Sequence, residues 1–167
     1  FTEMTGLDIC GHEITHGLVG YTAGLSGGGY GEPDAINEAW ADIMGTNIER
    51  FARPTQWDWI VGADVTVGGI GLRTMSDPNS STTPQPDTYL GQYWSTGLPS
   101  PHINDGPAIY WYYLLCQGGT GTNDQANNYI VNGITLTKAQ LIAYRALTVY
   151  ATPSTNYSNM RLSLIHI

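Results

Sequence analysis

The chain reads as five helical stretches, and in the first two, apolar positions recur at helical spacing. In the first, Leu7, Cys10, Ile14 and Leu18 fall three to four residues apart. That period predicts a helix over residues 4–23 with this stripe buried and His12 and His16 off it, facing a cleft. A glycine-rich turn follows over 24–31. Pro33 and Asp34 then open a second helix whose apolar face is Ile36, Ala39, Trp40, Ile43 and Met44, ending near Ala52 before Pro54. Residues 55–105 show no sustained period and are rich in Gly, Pro, Ser and Thr. A loop of that length in a compact domain is usually functional. A third helix starts at Pro107 and stops at Gly118; Tyr110 through Leu115 make it apolar nearly all round, so it should be central. Thr137 with Gln140 has the form of a capping box and predicts a fourth helix to about Tyr150, before Pro153. A fifth begins near Asn156 and runs to the end. The expected class is therefore mainly α, one domain with long irregular loops.

Composition narrows the partners. The chain has 167 residues, 41% hydrophobic and 12% charged, enough for one real core and unlike a disordered segment. Six basic against 14 acidic residues leave a formal charge of −8. Without a basic cluster, neither nucleic acid nor an anionic membrane is an expected partner. No apolar run approaches the roughly 18 residues of a membrane span, and no signal peptide opens the chain. Cys10 and Cys116 read as buried small side chains; a disulfide between them is left open.

The chemistry centres on His12-Glu13-Ile14-Thr15-His16. On a helix, residues four apart share a face, so His12 and His16 can aim ring nitrogens at one Zn²⁺. Glu13 is placed to take a proton from a water at that metal. A catalytic zinc site needs a third protein ligand, and Glu38 on the second helix can supply it. Asp42, one turn later, can accept the free N–H of His12, and Asn37 can do the same for His16.

With these residues in this order, the chain resembles the thermolysin-like family of zinc metalloproteases. The resemblance is carried by His12 to Gly17, Tyr21 to Leu25, Ala35 to Ala39, Leu72 to Pro78, His102-Ile103-Asn104, Gln117 to Thr120 and Tyr144 to Thr148, in family order. It implies a helical catalytic domain of a secreted endopeptidase, made as a precursor with its own propeptide, monomeric, acting on protein or peptide. His12, His16 and Glu38 match the zinc ligands, Glu13 the general base, and His102 the histidine that stabilises the oxyanion. Arg73 matches the arginine that binds a substrate carbonyl. Ile9, Val65 and Leu72 match an apolar pocket for the residue after the cut. Asp8, Glu49 and Asp58 match calcium ligands; Ile60 and Ala63 replace further family glutamates, so one Ca²⁺ is expected rather than two.

The pattern also departs from the family. The family tyrosine after the zinc helix has no clean match, and Tyr30 is the substitute. The loop at 95–101 is short and lacks the aspartate that orients the catalytic histidine; Asp105 is a candidate replacement. The family's preceding β-rich domain and final helices are absent, which implies a domain cut at both ends. Residues 162–167 resemble translated adapter sequence rather than the family's close and are read as non-native. Two other readings stay open: a zinc aminopeptidase, and a metal-binding module without activity.

Overall fold

A computed structural model describes residues 5–96 and 100–165. Among the described residues six α-helices carry the fold: α1 (Leu7–Tyr21), α2 (Glu32–Ala52), the short α3 (Pro101–Asn104), α4 (Gly106–Gln117), α5 (Leu136–Arg145) and α6 (Tyr157–Leu164). Two small antiparallel ladders accompany them. One pairs β1 (Ile60–Val61) with β2 (Arg73–Thr74); the other pairs β3 (Gly119–Thr122) with β4 (Asn128–Val131). The mainly α class holds, and neither ladder is foreshadowed by the apolar period.

The pairing of α1 with α2 positions the site. Asp34 sets the start of α2: its carboxylate accepts from Gly31 N at 2.8 Å and Gly27 N at 2.9 Å. Backbone donors at a helix start have no partner within the helix, so this carboxylate satisfies groups next to the positive end of the dipole. The two helices cross almost backbone to backbone. A Cβ on Gly45 would lie 2.3 Å from Asp8 O, and one on Gly11 would lie 3.0 Å from Gly45 Cα. Only glycine permits that approach. Ile36, Ala39, Trp40 and Ile43 fill the core from α2, Ile109 and Tyr112 from α4, and Ala139 and Ala143 from α5. Each large side chain contributes about 1.5–3 kcal/mol by leaving water. Trp40 Nε1 donates to Ala143 O at 2.8 Å, tying α2 to α5.

Burial of α1 differs from the periodic expectation. Asp8, Ile9, Gly11, His12, Thr15 and Val19 face inward. Ile14 is 71% exposed and Cys10 is exposed, while Leu7 and Leu18 are half-buried. The expected stripe thus lies off the buried face, with Cys10 and Ile14 outward and Leu18 packed at the edge of the core. The glycine crossing dictates the inward one, and its polar members find partners there: Thr15 Oγ1 donates to Gly11 O at 2.7 Å. Cys116 is buried and Cys10 is not, and both thiols are free.

Other expectations shift at the edges. α5 begins at Leu136, which is buried, so Thr137 is not the cap and the proposed capping box does not form. Past Arg145 the helix widens into a π turn over Ala146–Tyr150. α6 does start after Asn156, whose side chain accepts from Asn159 N at 2.9 Å, but it ends at Leu164. The outer ends of the first and last predicted helices, residue 4 and residues 166–167, lie outside the described residues, as do Leu98 and Pro99 of the short loop.

Candidate metal centre

α1 sets His12 and His16 one turn apart with ring planes nearly perpendicular, at 88°, and centroids 4.7 Å apart. Their Nε2 atoms face each other at 3.0 Å. From α2, Glu38 Oε2 lies 3.2 Å from His12 Nε2 and 3.5 Å from His16 Nε2. Among the described residues this is the one set of three or more His, Cys, Asp or Glu side chains close enough to share an ion, with ligand atoms within 4.8 Å of one another.

The outer nitrogens explain why these atoms ask for a cation. His12 Nδ1 stands 2.7 Å from Asp42 Oδ1, and His16 Nδ1 stands 3.0 Å from Asn37 Oδ1. Both oxygens accept, so each neutral ring keeps its proton on Nδ1 and its lone pair on Nε2. Two lone pairs then oppose each other beside a carboxylate oxygen. Glu38 Oε2 is buried and has no hydrogen bond. Three inward lone-pair donors, the two imidazoles braced from behind, fit a divalent metal of zinc's ligand preference. The same demand for positive charge appears in the titrations. Burial pulls His12 down, but Asp42 and Glu38 carry it up to about 9. Glu38 raises His16 against burial. Burial pushes Glu38 up, and His12 and His16 hold it well below the usual carboxylate range.

Around this centre, Glu13 is exposed on α1, next to His12. His102, on α3, is half exposed, with Nδ1 3.2 Å from Glu38 Oε2. Burial lowers its pKa, and Glu38 offsets part of that. Asp105 does not sit on His102. It is fully buried, with Oδ1 accepting from Gln85 Nε2 at 2.5 Å and Oδ2 3.7 Å from Arg73 Nε. Burial pushes its carboxyl well up, against the pull of Arg73.

Arg73 is committed inward. Nε donates to Asp42 Oδ2 at 2.5 Å and Nη2 to Asp42 Oδ1 at 2.7 Å, so the carboxylate that orients His12 is itself clamped. Ile9 and Val65 are core residues with Leu72 packed against them, rather than an open apolar wall. Tyr30 is 58% exposed in the turn before α2.

The three acids expected to hold calcium do not converge into an ion-sharing set. Asp8 accepts from Ile9 N at 2.8 Å and from Gly62 N, and Asp58 accepts from Ile60 N at 2.7 Å. Glu49 lies 3.9 Å from Arg53, which pairs closely with Asp64. The acids still feel one another: burial, then Asp8, Asp58 and Asp64, push Glu49 up to about 7.

Sequence reasoning missed Gln85, which is wholly buried between two prolines. A glutamine in an aperiodic loop carries no local signal of burial.

Known proteins bear on this geometry. Residues 29–167 match the family described as the thermolysin metallopeptidase α-helical domain. Thermostable neutral protease NprT of Geobacillus stearothermophilus is 40% identical over 164 residues, covering 96% of this chain and 28% of that protein. Neutral protease B of Bacillus subtilis (strain 168) is 39% identical over 170 residues, covering 99% of this chain and 29% of that protein. The chain thus spans less than a third of the length of these relatives. Among solved structures, a precursor of protealysin, a metalloproteinase from Serratia proteamaculans, superposes with a TM-score of 0.73. That match covers 95% of this chain and 50% of the other at 24% identity, a likeness of fold.

Proposed function

Because the chain belongs to the thermolysin metallopeptidase family, we propose that it is the zinc-holding helical part of a secreted endopeptidase. The observation that carries this reading is the facing pair of Nε2 atoms beside the unpaired Glu38 Oε2. His12, His16 and Glu38 hold the metal; Asp42 and Asn37 fix the two imidazoles from behind. Zinc bound there supplies a Lewis acid, which polarises a carbonyl and lowers the pKa of water toward about 7.

The chain's own residues do the proton work. Glu13 takes a proton from the water as its oxygen adds to the scissile carbonyl carbon. It then delivers that proton to the amine nitrogen as the C–N bond breaks, so the sum is addition of one water. His102 donates a hydrogen bond to the oxyanion; losing one such donor commonly costs on the order of 10²–10³ in rate. Leu72, Ile9 and Val65 favour an apolar residue after the cut, and Tyr30 meets substrate in place of the family tyrosine. Arg73 binds a substrate carbonyl with the guanidinium edge that it does not donate to Asp42. Synthesis as a precursor with a propeptide, a monomeric state and one stabilising Ca²⁺ that would draw Asp8, Glu49 and Asp58 together complete the proposal.

Elemental analysis and peptide cleavage on the full-length protein test it. About one zinc per chain is expected, lost when His12, His16 and Glu38 are all replaced by Ala. Cleavage should be internal and abolished by chelator. Terminal trimming would instead mean an aminopeptidase, and no cleavage an inactive module. Glu13→Gln should keep the metal and abolish cleavage; a variant that cleaves at the wild-type rate refutes the general-base role.

A further inference from the structure

We propose that Gln85 is a positioning residue for His102, and that Asp105 holds Gln85 in the conformation that does so. This rests on the oxyanion role given to His102 above.

A buried primary amide presents two N–H donors and one carbonyl, and each needs a partner. Gln85 is 0% exposed and finds all three. Nε2 donates to His102 O at 2.8 Å and to Asp105 Oδ1 at 2.5 Å. Oε1 accepts from Ser81 Oγ at 3.1 Å, and Ser81 Oγ accepts from Thr74 N at 2.9 Å. Thr74 follows Arg73 on β2. One amide therefore ties the main chain of His102, and the start of α4, to the strand that carries the clamp on Asp42.

The rest of the turn is pinned in the same way. Asn104 exchanges two hydrogen bonds with the backbone of Ser95, both 2.9 Å, and Tyr157 Oη donates to Asn104 O. At Gly106 a Cβ would lie 2.3 Å from Pro86 O, so residues 85–86 lie flat against the first turn of α4. The imidazole itself is half exposed and, among the described residues, is held at Nδ1. Its reach is set by where the backbone of residue 102 sits, and the side chain that grips that carbonyl is Gln85. The short loop ahead of His102 offers no aspartate for this work. Asp105 keeps the amide turned the right way: its Oδ1 takes one N–H, leaving the other aimed at His102 O. Its Oδ2 has no hydrogen bond and faces Arg73.

A displacement of about 1 Å at a reacting group can cost on the order of 10² in rate. Three variants of the full-length protein separate positioning from stability. Gln85→Glu loses both donors and sets a carboxylate against Asp105, so both melting temperature and kcat fall. Asp105→Asn alone keeps an acceptor for Gln85 and serves as the second corner of a double-mutant cycle. In Gln85→Glu/Asp105→Asn the amide and the carboxylate trade places. Their mutual hydrogen bond is restored, but nothing donates to His102 O. The expected result is a melting temperature recovered toward wild type, kcat still down about 10–100-fold, and KM within about twofold, as for an interaction made in the transition state. Recovery of kcat together with stability overturns the proposal.

Imidazole NMR with labelled histidine gives a readout independent of activity. The His102 ring signals should shift or broaden in the double variant while those of His12 and His16 stay in place. A His102 signal that does not move also overturns the proposal. If wild type cleaves no peptide, the endopeptidase reading fails, and the NMR comparison decides the positioning role by itself.

Discussion

Removing the Arg73 guanidinium should expose how strongly the site depends on what lies behind it. Arg73→Met keeps the length and the apolar stem but leaves Asp42 with His12 as its remaining partner. The Asp42 side chain is 0% exposed, so water cannot replace what is lost. Two charge-assisted hydrogen bonds go, at 2.5 and 2.7 Å, and bonds to charged groups are worth about 1.5–3 kcal/mol each. Breaking a buried ion pair from one side costs about 3–5 kcal/mol, so the two routes agree. For a chain of this size the melting temperature should fall on the order of 10 °C.

The pH dependence carries its own sign. In the native protein burial pushes Asp42 up, but Arg73 and His12 hold it below the ordinary value. That contribution is present above the unfolded carboxylate pKa and lost as pH falls through the folded one. Without Arg73, burial prevails, and Asp42 and Asp105 both move up. A carboxyl whose folded pKa is raised loses stability as pH rises. The deficit of the variant should therefore be widest near pH 8 and narrow toward pH 4. Urea unfolding of both proteins across that range is the assay. A variant within about 1 kcal/mol of wild type at pH 8, well under the pair's cost, refutes the reasoning, as does a deficit that is flat with pH. Arg73→Lys keeps the charge without the planar fork and should fall between the two.

Three further outcomes can be checked. Gly45→Ala should push α1 off α2, since the new methyl would meet Asp8 O; we expect a loss of about 1–3 kcal/mol and weaker zinc retention, read by urea unfolding and elemental analysis, and wild-type values for both would contradict the crossing argument. Glu49 is raised to about 7 by burial and its acidic neighbours, so stability should fall as pH climbs from about 4.5 through about 7. Glu49→Gln should flatten that slope, and millimolar calcium at pH 8 should raise the melting temperature of wild type more than of the variant; a wild type indifferent to calcium removes the ion from the proposal. His102→Ala should lower kcat by about 10²–10³ with zinc content unchanged, and equal kcat values would leave His102 an ordinary exposed residue.

What the chain determines by itself is local. His12, Glu13 and His16 share a helix, and a spacing of four residues places two imidazoles on one face whatever surrounds them. Glu38 and Asp42 repeat the same logic on α2, so the three side chains that converge and the partner of His12 could be named before any fold was known. The resemblance extended that list to His102 and Arg73, but not to their surroundings. Which face of α1 turns inward was decided by tertiary contact. Leu7, Cys10, Ile14 and Leu18 have the period of a core stripe, yet Gly11 and Gly45 let the backbones meet on the other side. His12 and Asp8 are buried there because partners on α2 and at Gly62 satisfy them. Apolar period measures the cost of exposing a side chain. It does not register a polar group whose burial is compensated by a partner thirty or more residues away. Gln85 is the extreme case: nothing in Pro84-Gln85-Pro86 signals burial, and two of its three hydrogen-bond partners, His102 O and Asp105 Oδ1, meet it only once the turn from α3 into α4 has packed against this loop.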